Sequence, residues 1–176
     1  RVGDSYNLSI GQGWLLSTPL QMARATLALA RRGELLRPRL VHAITRDTVT
    51  NTAEPVETTA PVNAGVSASA FDLVHKGMRA AVTEGTAIGV SGIGMPVAAK
   101  TGTAEVGKSG RVHSWFIGFL PVKNPEIVLV INMENGHAGN LVGATSVAYE
   151  VLRWYADGGR EKMFSTAFVD KLYSTR

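Results

Sequence analysis

The sequence predicts an α/β chain of the α+β kind, an antiparallel sheet flanked by helices. Three observations predict it. Two β-like runs, residues 112–122 and 127–134, stand either side of the turn residues Lys123-Asn124-Pro125 and read as an antiparallel hairpin. A short run from Pro96 to Thr103 adds a third strand before them. Segments with helical periodicity and their own start and stop signals lie on both sides of these strands.

Taken in order, residues 1–17 are rich in glycine and serine (Gly3, Gly11, Gly13) and are expected to form an irregular opening segment. Thr18-Pro19-Leu20-Gln21 then starts a helix: Thr18 suits the N-cap, Pro19 the first helical position, and Gln21 completes a capping box. Leu20, Ala23, Leu27 and Ala30 recur at helical spacing, and Gly33 ends the element. Residues 34–66 carry Pro38, Pro55 and Pro61; residues 39–44 suit a short strand and the rest loop or hairpin. Ser69 with Asp72 is expected to cap a second helix with the apolar face Phe71, Val74, Met78, Ala81 and Val82 and a stop at Gly85. A glycine-rich loop (Gly85, Gly89, Gly92, Gly94) leads to the Lys100 strand. After the hairpin, Gly136, Gly139 and Gly143 precede a third helix over residues 145–156, with Val147, Val151, Leu152 and Tyr155 inward. Phe164, Phe168 and Leu172 allow a weak last helix. No internal repeat is present.

Composition sets the limits. A chain of 176 residues, 45% hydrophobic and 18% charged, is long enough for one domain with a sizeable core. The net charge of +4 and pI near 9.6 come without a Lys/Arg run or basic-aromatic interleaving, which argues against a nucleic-acid partner. The absence of cysteine removes thiol nucleophiles, disulfides and thiolate metal sites. His42, His75, His113 and His137 are scattered without metal-ligand pairing, so neither metal nor cofactor is expected. No apolar stretch is long enough to span a bilayer.

Two motifs carry chemistry. Gly102 to Ser109 fits the phosphate-loop pattern GxxxxGK[ST], which would use Lys108 and Ser109 on a nucleotide. That mechanism needs a helix to begin at the Lys-Ser pair. Gly110 and a β-branched, aromatic run follow instead, so a hairpin turn is the better reading. The second motif is Lys100-Thr101-Gly102-Thr103: an ammonium, two hydroxyls and a glycine on one short strand suit a small carboxylate. Lys100 supplies charge, Thr101 and Thr103 donate hydrogen bonds, and Gly102 lets a substrate backbone lie against the strand. Alone, the triplet could equally be an edge strand protected by a lysine.

Four blocks follow one another in order: Ser9-Ile10-Gly11-Gln12-Gly13, Thr18-Pro19-Leu20-Gln21, Lys100-Thr101-Gly102-Thr103-Ala104-Glu105, and His113-Ser114-Trp115-Phe116-Ile117-Gly118-Phe119. In this order they resemble the transpeptidase domain of class B penicillin-binding proteins, particularly the elongation-type penicillin-binding protein 2 branch, from about residue 2 to about residue 156. The resemblance implies a fold shared with serine β-lactamases, of which residues 1–176 would be the C-terminal part of a single domain. It implies a peptidoglycan D,D-transpeptidase in which a serine attacks the D-Ala-D-Ala end of a stem peptide. It also implies acylation by β-lactams, a site on the periplasmic side of the cytoplasmic membrane, and partnership with a membrane glycan polymerase and elongation-complex proteins. The family uses Ser-x-x-Lys, Ser-x-Asn and Lys-Thr-Gly motifs. No Ser-x-x-Lys occurs in this chain, so the nucleophile is expected in a missing N-terminal half and the chain alone is expected to be inactive.

Carried over residue by residue, Lys100 would hold the positive potential and help move protons, while Thr101 and Thr103 would bind the substrate carboxylate. The Thr103 N–H would be one of two oxyanion donors, such a donor being worth roughly 3–4 kcal/mol of barrier. Ser5-Tyr6-Asn7 fits Ser-x-Asn but sits directly against Gly11-Gln12-Gly13, so Ser5 and Asn7 are read as structural. Gln12 is expected in a tight loop packed on a helix, His113 beneath the strand, and Trp14 and Trp115 in the core or cleft wall. A serine β-lactamase or β-lactam sensor domain is the alternative; the phosphate-loop module is a remote one.

Overall fold

A computed structural model describes residues 2–41, 43–47, 52–139 and 142–164. Helix α1 (Val2–Ser9) opens the chain where the glycine content suggested irregular backbone. Gly3 lies inside this helix without preventing it, and Gly11 ends it. Gly11 adopts φ +77°, its N–H donates to Leu8 O (3.0 Å), and the Gln12 N–H donates to Asn7 O (2.8 Å). That pair of bonds is a Schellman stop, which favours glycine at the left-handed position. Around it Tyr6, Ile10, Trp14 and Leu16 stay exposed, so Trp14 is a surface residue and not part of the core.

Helix α2 (Pro19–Ala30) starts as the sequence reads: the Thr18 hydroxyl accepts from the Gln21 N–H while the Gln21 side chain accepts from the Thr18 N–H. Its buried positions are Thr26, Ala28 and Ala30, whereas Leu20 is largely exposed. Small residues let the helix approach the sheet closely, and Thr26 is accommodated because its hydroxyl donates to Met22 O (2.8 Å). Two small antiparallel pairs follow. Strands β1 (Glu34–Leu35) and β4 (Val62–Asn63) make one; β2 (Ala43–Asp47) and β3 (Thr52–Pro55) make the other. The strand expected over residues 39–44 therefore begins later, and His42 lies outside the described residues.

Helix α3 (Ala68–Thr83) is capped by Ser67, whose side chain accepts from the Ala70 N–H, rather than by Ser69. Asp72 instead pairs with Arg32 at 2.7 Å, and that guanidinium holds its carboxyl below the usual value. The buried stripe is Phe71, His75, Met78 and Val82, with His75 replacing the expected Val74. A histidine is tolerated there because its Nε2–H donates to Leu29 O (2.7 Å), tying α3 to α2, while the ring packs on Phe119. The glycine-rich segment that follows is not plain loop: residues Ile88–Ile93 form a 3₁₀ helix that buries Val90 and Ile93.

The principal sheet has the order β5-β6-β7, from β5 (Ala98–Glu105), β6 (Arg111–Leu120) and β7 (Ile127–His137), all antiparallel. Its two faces are covered separately. Ala98 and Phe119 meet Ala30 and Met78 on one side. Ala99, Phe116 and Leu120 meet Val90, Ile93, Leu152 and Tyr155 on the other. Each large apolar side chain buried here contributes about 1.5–3 kcal/mol. Helix α4 (Ala144–Trp154) buries Ala144, Ala148 and Leu152; Leu152 and the following Tyr155 are inward as expected, whereas Val147 is half-buried and Val151 exposed, and alanines take their place at the closest approach. Gly143 gives the helix no capping side chain. Ser114 on β6 supplies it, its hydroxyl accepting from the Ala144 N–H (3.0 Å). A wide turn (Tyr155–Gly159) leads into α5 (Arg160–Phe164), and Phe168 and Leu172 lie outside the described residues. No helix of the described residues is long and apolar enough to cross a membrane.

Two stability outcomes follow from these contacts. Replacing Ser114 with Ala should cost about 1 kcal/mol, the usual value of a helix cap, and lower the melting temperature by about 2–4 °C. An unchanged melting temperature would show the cross-element cap to be idle. The fully buried Tyr155 donates to Glu126 Oε2 (3.2 Å), and burial first, then Glu126, pushes its phenol pKa up. A raised folded pKa gives stability that is complete below the ordinary value near 10 and is lost as pH climbs through the folded value. Urea midpoints at pH 8 and pH 11 should therefore fall less for Tyr155→Phe than for the parent; equal falls would contradict the assignment.

Candidate functional site

Strand β5 pairs with β6 along one edge only, and no described strand pairs with its other edge. In an antiparallel ladder alternate residues direct both backbone groups to the same side. Three side chains show which set faces outward. Arg79 Nη1 donates to Val97 O (3.0 Å), Lys100 Nζ donates to Thr101 O, and Gln12 Nε2 donates to Thr103 O (3.1 Å). The odd-numbered residues therefore present their polar groups at the open edge, and the Thr103 N–H lies among them.

Side chains alternate across the same strand. Ala98 and Ala99 are fully buried on opposite faces, and Thr101 follows the Ala99 face while Lys100 follows the Ala98 face. Burial lapses at Lys100, so the strand passes from core to solvent at the first residue of the motif. The exposed Lys100 ammonium folds back onto the open edge. Thr101, half-buried, places its hydroxyl oxygen 2.6 Å from that of Thr86. The Thr103 side chain is exposed, and its hydroxyl has no partner among the described residues. Lys100, Thr101 and Thr103, the residues singled out by sequence, thus stand together along one edge.

Nothing among the described residues demands a glycine at position 102. Its φ is not in the left-handed region, and an added Cβ would meet only Trp115 Cβ at 3.6 Å, an ordinary contact. The space over it is left to whatever lies against the strand. The structure also removes the nucleotide reading. Residues 106–110 form a turn in which the Val106 N–H donates to Arg111 O (2.9 Å), and the chain continues directly into antiparallel β6. Lys108 and Ser109 sit in that turn with no helix behind them, so the backbone cradle a phosphate needs is not formed.

Other residues fall outside the motif chemistry. His113 Nδ1 accepts from the Asn135 N–H (3.1 Å) where the β6–β7 register shifts, a structural role. Ser5 and Asn7 are exposed on α1, and the Asn7 carbonyl serves the helix stop. Gln12 differs from the expectation of a loop packed on a helix: it is the one half-buried residue between positions 3 and 21, and it reaches β5. Its glycine neighbours were visible in the sequence, but its destination ninety-one residues away was not. Thr86 and Arg79 gave no sequence signal. Among the described residues no three His, Asp or Glu side chains gather into a possible metal site.

Residues 3–153 match the family described as Penicillin binding protein transpeptidase domain. Similar curated proteins include the peptidoglycan D,D-transpeptidase MrdA of Haemophilus influenzae, 28% identical over 170 residues, which cover 87% of this chain and 26% of that protein. Another is the peptidoglycan D,D-transpeptidase PbpA of Mycolicibacterium smegmatis, 33% identical over 145 residues, covering 80% of this chain and 28% of that protein. Among solved structures, Pseudomonas aeruginosa PBP2 in complex with WCK 5153 matches with a TM-score of 0.68 and 33% identity, over 88% of this chain and 33% of that one. Penicillin-binding protein A of M. tuberculosis as an imipenem acyl-enzyme matches with a TM-score of 0.68 and 27% identity, over 86% and 33%. The chain thus spans roughly a quarter to a third of the length of the relatives it matches. These neighbours share the mixed helix and antiparallel-sheet fold.

If Gln12 holds the β5 edge, Gln12→Ala should speed amide hydrogen exchange at Gly102 and Ala104, whose N–H groups face β6, while leaving Ala98 in the core unchanged. Equal protection in both proteins would show that the Gln12 bond carries no weight.

Proposed function

The chain belongs to the penicillin binding protein transpeptidase domain family, and from that premise we propose that it forms the substrate-carboxylate side of a serine D,D-transpeptidase site. The observation that carries the reading is the grouping of Lys100, Thr101 and Thr103 with an open backbone edge and unfilled space over Gly102. The acyl-donor stem peptide lies along β5 as an added strand. Its terminal carboxylate is held by the Thr101 and Thr103 hydroxyls in the field of the Lys100 ammonium. The Thr103 N–H, outward on the same edge, donates to the oxyanion as the penultimate carbonyl becomes tetrahedral.

The nucleophilic serine and its lysine belong, in this reading, to a part of the domain outside these 176 residues. Serine Oγ bonds to the penultimate D-Ala carbonyl carbon, the C–N bond to the terminal D-Ala breaks, and that amine leaves with the proton. An amine of a neighbouring stem then attacks the ester, forming the crosslink and returning the serine hydroxyl. A β-lactam, carrying a carboxylate beside its reactive amide, enters by the same route and stays as the acyl-enzyme. The imipenem acyl-enzyme neighbour supports this. We place the site on the outer face of the cytoplasmic membrane, in the elongation-type class B branch, working beside a membrane glycan polymerase and elongation-complex proteins. The resemblance of the four sequence blocks supports that assignment.

In the full-length protein, Thr101→Val or Thr103→Val should slow labelling by a fluorescent penicillin about tenfold or more, the scale of a hydrogen bond to a charged group. Labelling at the parent rate in both variants would overturn the carboxylate assignment.

A further inference from the structure

The carboxylate pocket contains a hydroxyl pair that the motif does not mention. Thr86 Oγ1 lies 2.6 Å from Thr101 Oγ1, and either atom can donate. Thr86 comes from the turn between α3 and the 3₁₀ helix, fifteen residues upstream. Its exposed side chain sits on a well-fixed backbone. The Glu84 N–H donates to Ala80 O (2.9 Å), the Ala87 N–H to Ala81 O (2.8 Å) and the Ile88 N–H to Gly85 O (3.2 Å). Ala87 is fully buried, and a Cβ at Gly85 would lie 2.8 Å from Ala81 Cα, so the turn has little room to shift.

A hydroxyl has one proton and rotates freely unless a neighbour fixes it. With no anion present, the two protons of this pair can be arranged either way. An anion at Thr101 permits only one useful order: Thr86 donates to Thr101, and Thr101 donates to the anion. The Thr101 oxygen is then polarised by an incoming hydrogen bond, which strengthens the bond it gives. The reverse order would spend the Thr101 proton on Thr86 and turn a lone pair toward the negative charge.

We propose that Thr86 is a positioning residue whose hydroxyl orients the Thr101 O–H toward the terminal carboxylate of the acyl donor. This rests on the carboxylate role of Thr101 proposed above. It makes Thr86 a determinant of affinity for carboxylate-bearing donors that never touches them.

The test uses the full-length protein and follows acylation by a fluorescent penicillin across a concentration series, separating the half-saturating concentration from the limiting rate. Thr86→Val, which keeps the shape and removes the hydroxyl, should raise the half-saturating concentration about three- to tenfold, the worth of one net hydrogen bond. The limiting rate should stay within about twofold. Thr86→Ser should restore the parent value, and Thr86→Val should add nothing in a Thr101→Val background, because the two residues act in series. An unchanged half-saturation in Thr86→Val, alongside a raised one in Thr101→Val, would sink this inference and leave the carboxylate pocket standing. Failure of serine to rescue, or additive losses in the double variant, would also overturn it by showing a packing role. If Thr101→Val itself had no effect, the reading of the pocket beneath it would fall.

Discussion

The site depends on one strand edge, paired by no described strand, being kept orderly by side chains. An exposed edge is a row of unsatisfied donors and acceptors that invites any passing strand. Just before and along β5 the outward carbonyls of Val97, Thr101 and Thr103 are each met by a side-chain donor from a different part of the chain: α3, the strand itself, and the loop after α1. The edge is held straight while its N–H groups stay available, an arrangement suited to an incoming backbone that must be both accepted and released.

The rest of the fold serves that edge by making its inner end immovable. Ala98 and Ala99 are small enough for helices to close on both sheet faces, so the strand leaves the core with its direction fixed. His75, packed on Phe119 opposite Ala98, and Ser114, opposite Thr103, bind neighbouring elements to each other at the two ends of this stretch, one through a helix carbonyl and one through a helix N-terminus. Positional accuracy of the motif residues therefore derives from packing one turn behind them. Both Thr residues of the motif carry short side chains with few rotamers, which preserves that accuracy out to the hydroxyl oxygens.

Much of this was legible in the sequence where a local rule decides the outcome. The Thr18-Pro19-Gln21 cap, the Lys123-Asn124-Pro125 turn and the three sheet strands are local, and the structure has them. The motif residues were legible because their chemistry is compact and contiguous. What was missed depends on tertiary contact. The buried positions of α2 are Thr26, Ala28 and Ala30, and α4 adds Ala144 and Ala148 beside Leu152, because close packing on the sheet favours small side chains that a count of large apolar residues overlooks. His75 replaces Val74 inside because Leu29 O is there to receive its proton donor. Helix α1 was hidden by glycines that end it, and Thr86 by a bond whose partners are brought together only once the 3₁₀ turn has formed.

The loop that carries Gln12 has a consequence for how this surface can vary. Around Gly11 no atom comes within 4 Å of where a side chain would begin, and Gly13 meets only Asn7 Cβ at 3.4 Å, so the space is there to be filled. Both glycines nevertheless sit at φ near +77° to +78°, a torsion that costs other L-residues about 1 kcal/mol or more. Roominess is therefore no guide to tolerance: this stretch of surface is closed to change by its torsion angles, and the constraint is inherited from a carbonyl on a distant strand.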